Sequence, residues 1–224
     1  MYKDLFKRIL DFIISLVALI LLTPFLIPVM LCLKLTGENN IFYLQDRVGY
    51  KNNIFSIWKF ATMLKDSPKL NTGSLTIKDD PRVLPFGKIL RKTKINELPQ
   101  IFNVLIGNMS IVGPRPQMYN DFKKYSDEVQ KVIYKVKPGV TGLASIVFRD
   151  EERWISECDM DPHEYYTSKI APYKGDLELW YQENVSFISD IKIIFSTAWV
   201  IFFPSSDIIF KILKGIPKKP DHLT

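Results

Sequence analysis

At 224 residues the chain accommodates one membrane segment and a soluble part of ordinary single-domain size, large enough to bury a core. Its net charge of +6 suits either nucleic acid or an anionic membrane surface with anionic substrates, and the apolar N-terminus selects the second. Two cysteines, Cys32 and Cys158, make no disulfide framework and fit a reducing cytoplasm, while His163 and His222 have no spacing for a transition metal.

The first element is an unbroken apolar run, Phe12 to Leu33, between Asp11 and Lys34. About 22 residues at 1.5 Å each reach roughly 33 Å, enough for the hydrocarbon core. Pro24 and Pro28 interrupt the run, and an interior proline removes an amide donor and clashes with the turn before it, so a sharp bend is expected at Thr23-Pro24. Thr23 is placed to bond a carbonyl that the proline frees. Lys3, Lys7 and Arg8 precede the run and Lys34, Arg47 and Lys51 follow it, so neither flank is clearly the poorer in cations. A helix–break–helix that dips into one leaflet and a kinked crossing helix both fit. The run is too long for the apolar part of a signal peptide, and no small-residue cleavage site follows it.

Two β-rich runs, Ile41–Val48 and Ile54–Phe60, flank a Gly/Asn turn and read as a hairpin. Lys59 beside Trp58 reads as a surface lysine next to a core aromatic, the alternative being a side chain that faces the active site or the headgroups. Lys65–Lys78 reads as a polar loop, Asp79-Asp80-Pro81-Arg82 as a turn, and a short helix then runs to about Lys92. In the next helix Leu98, Ile101, Phe102 and Leu105 keep i, i+3, i+4, i+7 spacing, with Asn96 as N-cap, Pro99 in the first turn and Gly107 as the stop. Arg82, Lys88, Arg91, Lys92 and Lys94 gather positive charge ahead of it. A helix start offers free N–H groups and partial positive charge, and arginine adds a fork matched to phosphate oxygens.

Gly113-Pro114-Arg115-Pro116 reads as a stiff extended loop, Tyr119 to about Val136 as a surface helix, and Leu143–Val147 as a short strand after a Pro138-Gly139 turn. Asp161 to Glu183 is helical in pattern with interruptions at Pro172 and Gly175. Tyr165-Tyr166 and Trp180-Tyr181 read as packing residues. Ile191–Phe203 is too short to span and, with Ile208–Lys214, reads either as a helix pair at the bilayer interface or as a buried core helix with a tail.

The block from Asp80-Pro-Arg-Val through Gly87-Lys-Ile-Leu-Arg-Lys-Thr-Lys-Ile-Asn-Glu-Leu-Pro-Gln to Gly113-Pro-Arg-Pro116 resembles the bacterial sugar transferases, the monotopic polyprenyl-phosphate phosphoglycosyl transferases. Asp46-Arg47-Val48-Gly49 and Lys137-Pro-Gly-Val-Thr-Gly-Leu-Ala144 extend the match over nearly the whole chain. The resemblance implies transfer of a sugar-1-phosphate from a UDP-sugar to undecaprenyl phosphate, leaving UMP, as the first membrane step of capsule, exopolysaccharide, O-antigen or glycoprotein glycan assembly. It implies a re-entrant membrane helix kinked at Thr23 and Pro24, a cytoplasm-facing catalytic domain at the bacterial inner membrane, and Mg²⁺. Arg91, Arg115 and Arg149 are implied as phosphate-binding residues. Membrane lipids, glycan-assembly enzymes and a second copy of the chain are the further partners it points to; nucleic acid is not one.

The family's catalytic pair is Asp-Glu at the start of the central helix, the Asp being the nucleophile. This chain has Asn96 and Glu97 there. A neutral amide is a poor nucleophile and a weak ligand for Mg²⁺. Three readings follow: Glu97 attacks, or it binds Mg²⁺ while the lipid phosphate attacks directly; Asn96 is compensated by Asp79, Asp80 or Asp150; or the chain is a non-catalytic regulator or scaffold. Glu97 and Asp150 are the candidate metal ligands. A third class of function, a basic peripheral protein that serves only anionic headgroups, is separated from these by binding of a UDP-sugar. The expected architecture is mixed α/β and mostly helical. It has a re-entrant helix at residues 1–36, a catalytic domain with a small β-hairpin at 37–185, and interfacial amphipathic helices with a tail at 186–224.

Overall fold

The computed structural model describes residues 2–67 and 80–220. The expected loop beyond Ser67, Asp79 and His222 lie outside the described residues. The architecture is mostly helical with two small sheets, around one long apolar helix.

That helix, α1 (Lys7–Thr36), follows a π-helical turn at Tyr2–Phe6. It runs as one hydrogen-bonded element through Pro24 and Pro28, where the sequence predicts two segments. Thr23 donates to the Leu19 carbonyl at 2.7 Å, an ordinary bond to the residue four back. The carbonyl that Pro24 leaves without an amide is that of Ile20, so Thr23 does not fill the expected role.

One stripe of α1 is covered by protein near each end. Lys7, Asp11 and Ser15 are buried at its start, Leu26 and Leu33 near its finish, while Ile20, Leu21, Phe25, Leu31 and Leu35 are exposed. At the start, Lys7 pairs with Asp190, which also accepts from the Tyr2 and Tyr181 hydroxyls at 2.6 and 2.7 Å. Arg8 donates to the Val104 and Leu105 carbonyls at 2.6 and 2.8 Å, satisfying a helix end that lacks intrahelical donors. Asp11 accepts from the Ile111 amide at 2.9 Å. At the far end Leu26 and Leu33 pack with Phe60 and Leu90.

β1 (Phe42–Val48) and β2 (Ile54–Phe60) form the expected antiparallel hairpin, with Gln45 opposite Ile57 and Phe42 opposite Phe60. α2 (Pro85–Lys92) follows, then a 3-10 turn at Ile95–Glu97 and α3 (Gln100–Ile106). The α-helix starts four residues after Asn96, with Pro99 as its N-cap, so Asn96 does not cap it. Asn103 welds α3 to the hairpin: its carbonyl oxygen accepts from the Trp58 amide at 2.9 Å, and its side-chain NH₂ donates to the Ser56 carbonyl at 2.8 Å. Gly107 ends α3 in the left-handed region at φ 96°, as the sequence predicts.

β3 (Ser110–Val112) and β4 (Gly139–Thr141) pair in parallel. They set the Gly-Pro-Arg-Pro loop by direct backbone contact. A Cβ on Gly139 would lie 2.1 Å from the Gly113 nitrogen, and one on Gly142 would lie 2.1 Å from the Gly113 oxygen. Only glycine permits that approach.

The surface helix expected over Tyr119 to Val136 is two short helices, α4 (Tyr119–Phe122) and α5 (Asp127–Val132), because Ser126 starts a second helix by accepting from the Val129 amide. The expected strand at Leu143–Val147 is a helix, α6, whose Leu143, Ala144 and Ile146 are buried. The ladder with β3 is already used by the residues just before it, and four apolar residues around one serine do not choose a period alone. α7 (Glu151–Glu157) and α8 (Pro162–Tyr165) lead through a π-helical stretch into α9 (Ala171–Asn184), which Pro172 starts and Gly175 does not interrupt. α10 (Phe187–Phe202) and α11 (Ile208–Ile212) close the core through Ile193, Val200 and Ile209. Tyr166 and Tyr181 are buried there, as expected of packing residues, whereas Phe187, Ile188, Ile191, Phe195 and Phe202 are exposed.

Candidate functional site

A cleft of about 1800 Å³ opens between the hairpin, the α2–α3 segment, the Gly-Pro-Arg-Pro loop and the α6–α7 corner. Asn96, Glu97, Arg91, Arg115, Arg149 and Asp150 all line it. Glu97 is the centre of its charge. The Glu97 Oε1 accepts from Arg115 Nη2 at 3.0 Å and lies 3.6 Å from Lys59 Nζ. Burial alone would raise this carboxyl, but Arg115, Lys59 and the hydrogen bond outweigh burial and hold it well below the usual carboxylate range.

Each partner is placed by a local reason. Arg115 sits in the loop fixed by the three glycines, and its carbonyl accepts from the Tyr134 hydroxyl at 2.8 Å. Its backbone amide faces Glu178 Oε1 at 3.4 Å, from α9 behind the loop. Lys59 is on β2 with its ammonium buried, not on the surface as the sequence predicts. Burial first, then Arg47, Arg115 and Arg91, bring it down to about 7 against the pull of Glu97. Arg47 on β1 donates to Gln45 Oε1 at 2.6 Å and faces the Pro116 carbonyl at 3.4 Å. Burial, then Arg115, lowers Arg47 to about 10. A second cationic stretch lies at the α6–α7 corner, where Lys174 from α9 pairs with Glu151 at 2.7 Å beneath the Phe148 and Tyr166 rings.

Among the buried polar atoms on the cleft wall with no hydrogen-bond partner are Asn96 Oδ1 and Arg149 Nη1. A buried polar atom left unpaired costs free energy, so both are atoms that an anionic or polar ligand would satisfy after a small side-chain rotation. Arg91 is half-buried, with Nη1 3.7 Å from Met63 Sδ. Asp150 is exposed and its neighbour Glu151 serves Lys174. Asp80 is locked in a fork with Arg82 at 2.9 and 2.6 Å, so it does not substitute for a charge at position 96. Among the described residues, no three His, Cys, Asp or Glu side chains cluster to hold a metal ion. Glu97 and the Asn96 amide are the adjacent oxygen donors.

Sequence reading does not single out Arg47, Lys174 or Glu178, and for Lys59 it prefers the surface to the cleft. Arg47 carried a signal, since it falls inside a quoted motif. Lys59 stands alone in an aromatic strand, while Lys174 and Glu178 lie on either side of Asp176 in a charged stretch of α9. Chemically, the arrangement offers clustered cations around one ionised carboxylate, which suits phosphate groups that develop or move negative charge.

The bacterial sugar transferase profile matches residues 2–204. The chain is 36% identical over 205 residues to a UDP-glucose:undecaprenyl-phosphate glucose-1-phosphate transferase of Klebsiella pneumoniae, covering 90% of this chain and 41% of that protein. It is 33% identical to an undecaprenyl-phosphate galactose phosphotransferase of Salmonella typhimurium, covering 87% and 40%. An exopolysaccharide production protein PSS of Rhizobium leguminosarum is 35% identical, with 85% of this chain matching 92% of it. The chain therefore spans about two fifths of the first two relatives and nearly all of the third.

Proposed function

The chain belongs to the bacterial sugar transferase family, and from that premise we propose that it transfers a sugar-1-phosphate from a UDP-sugar to undecaprenyl phosphate. The observation that carries this is the cleft in which Arg115, Lys59 and Arg47 surround Glu97, in a chain with one helix long and apolar enough to enter a membrane.

An oxygen of the acceptor phosphate attacks the donor's β-phosphorus. The bond from that phosphorus to the bridging oxygen breaks, and UMP leaves with the electron pair. Arg91, Arg115 and Arg149 bind the phosphates and neutralise charge as it shifts, which is the larger part of phosphoryl transfer catalysis. Glu97 holds Arg115 and Lys59 in place rather than attacking, because a carboxylate clamped by two cations is a weak nucleophile. Asn96 supplies a neutral amide, so transfer is direct and no residue at 96 is phosphorylated. Mg²⁺ is part of the proposal. Glu97 and the amide oxygen of Asn96 would hold it, the diphosphate completing a hard, oxygen-rich set, and when bound it supplies charge neutralisation.

The membrane arrangement is monotopic: α1 enters one leaflet and does not leave by the other, α10 and α11 lie at the interface, and the cleft faces the cytoplasm. The support is that both ends of α1 pack on the same body, Lys7 on Asp190 and Leu33 on Phe60 and Leu90. A crossing helix would carry one of those ends to the far side. The domain division at 37–185 and 186–224 belongs to the same reading.

UMP release from a panel of UDP-sugars with undecaprenyl phosphate tests it, using native protein and Asn96→Asp side by side. Native protein is expected to release UMP, with activity preserved or raised in the variant. The neutral Asn96 favours one second reading, a non-catalytic member that regulates or scaffolds glycan assembly. Binding of a UDP-sugar without UMP from any donor would establish that instead.

A further inference from the structure

The cleft is not uniformly charged. Its lining also has an apolar part, an arm contributed by α3, the β4–α6 segment and α10, which pack on one another: Ile101, Val140, Ala144, Thr197, Val200 and Ile201. Two hydroxyls on this wall satisfy each other, Thr141 with Thr197 at 2.7 Å, so the surface left to a ligand there is mostly hydrocarbon. Along α6 the wall turns polar within a few residues, from Ala144 to Ser145 and then Arg149. At the other end, Ile201 is 62% exposed and is continuous with the bare apolar face of α10 formed by Ile191, Phe195 and Phe202. A single cavity thus joins a cationic chamber to an apolar surface helix.

We propose that this arm seats the first isoprene units of the lipid phosphate acceptor, with the phosphate in the cationic chamber and the rest of the chain leaving past Ile201 into the bilayer. The inference takes the identity of the lipid from the proposed reaction. A prenyl phosphate is the occupant whose polarity changes in the same order along its length, anionic head then branched hydrocarbon. A phospholipid acyl chain would bring its own headgroup into the donor's space.

The test is photocrosslinking on the full chain in nanodiscs, with a prenyl phosphate carrying a diazirine in its first isoprene unit. Adducts are expected within residues 140–147 and 197–203, and excess undecaprenyl phosphate should suppress them. Adducts confined to α1, or the same adducts from a diazirine phospholipid that prenyl phosphate does not displace, would overturn the proposal. So would no adduct at all. Ile201→Asp, at an exposed position that folding tolerates, should raise the KM for the lipid about tenfold or more while leaving that for the UDP-sugar unchanged. An equal rise in both, or none, counts against it. Crosslinking reads lipid binding without turnover. Adducts in the arm of a protein that releases no UMP would therefore sink the reaction and leave the lipid site standing, and turnover with adducts elsewhere would do the reverse.

Discussion

Arg115 meets two glutamates from opposite sides. Glu97 holds its guanidinium in the cleft, and Glu178 faces its backbone amide from the core side. Around Glu97 two cations overcome burial and keep the carboxylate ionised. Glu178 lies in the core, where burial outweighs the Arg115 amide and Lys174 and pushes the carboxyl up to about 7, and its Oε2 has no hydrogen-bond partner. The same side chain is a fixed charge in one place and a titrating group in the other. What separates them is whether a cation touches the carboxylate or merely lies within reach.

Removing the fixed charge should have the largest effect. Glu97→Gln is expected to lower UMP release about 100- to 1000-fold, the loss typical of one transition-state electrostatic group. A variant that kept native turnover would place the working charge elsewhere in the cleft. Glu178→Gln should act on stability and in the opposite direction. The folded protein binds a proton that the unfolded chain, with its carboxyl near 4.5, has lost, so native stability falls as pH rises from about 4.5 to about 7. The variant lacks that fall and should exceed native protein by about 3 kcal/mol above neutrality, the gap closing below the unfolded value. Thermal melts at several pH values check this, and a gap independent of pH would contradict it.

Smaller effects sharpen the contrast. Arg149→Ala should raise the donor KM about tenfold, roughly the value of one charge-assisted hydrogen bond. Lys59 loses its proton as pH passes about 7, so one of the two cations on Glu97 fades. The donor KM should then climb a few-fold on the alkaline side, and Lys59→Arg should flatten the climb, since a guanidinium stays charged. A rise that persists in Lys59→Arg would assign the titration to another group.

The hairpin, α2, the stop at Gly107 and the gathering of Glu97, Arg91, Arg115 and Arg149 on one cleft were legible because each rests on a local rule or a long motif. The start of α3 was misread because Asn96 has the chemistry of a cap, while Pro99 and the 3-10 turn before it put the first α-helical residue later. Leu143–Val147 was misread because a short β-branched run takes its state from what it packs on. The burial of Lys59 and of Glu178 was not legible for a deeper reason. A charged residue reads as solvated until the packing of three or four other segments is known. The asymmetry between the two glutamates, which organises the whole pocket, is a tertiary property.

The tie between Lys7 and Asp190 spans 183 positions of the chain. The aspartate and the Tyr181 hydroxyl that anchor the base of α1 are synthesised long after it. The helix therefore cannot reach its final seat until α9 and the start of α10 have left the ribosome.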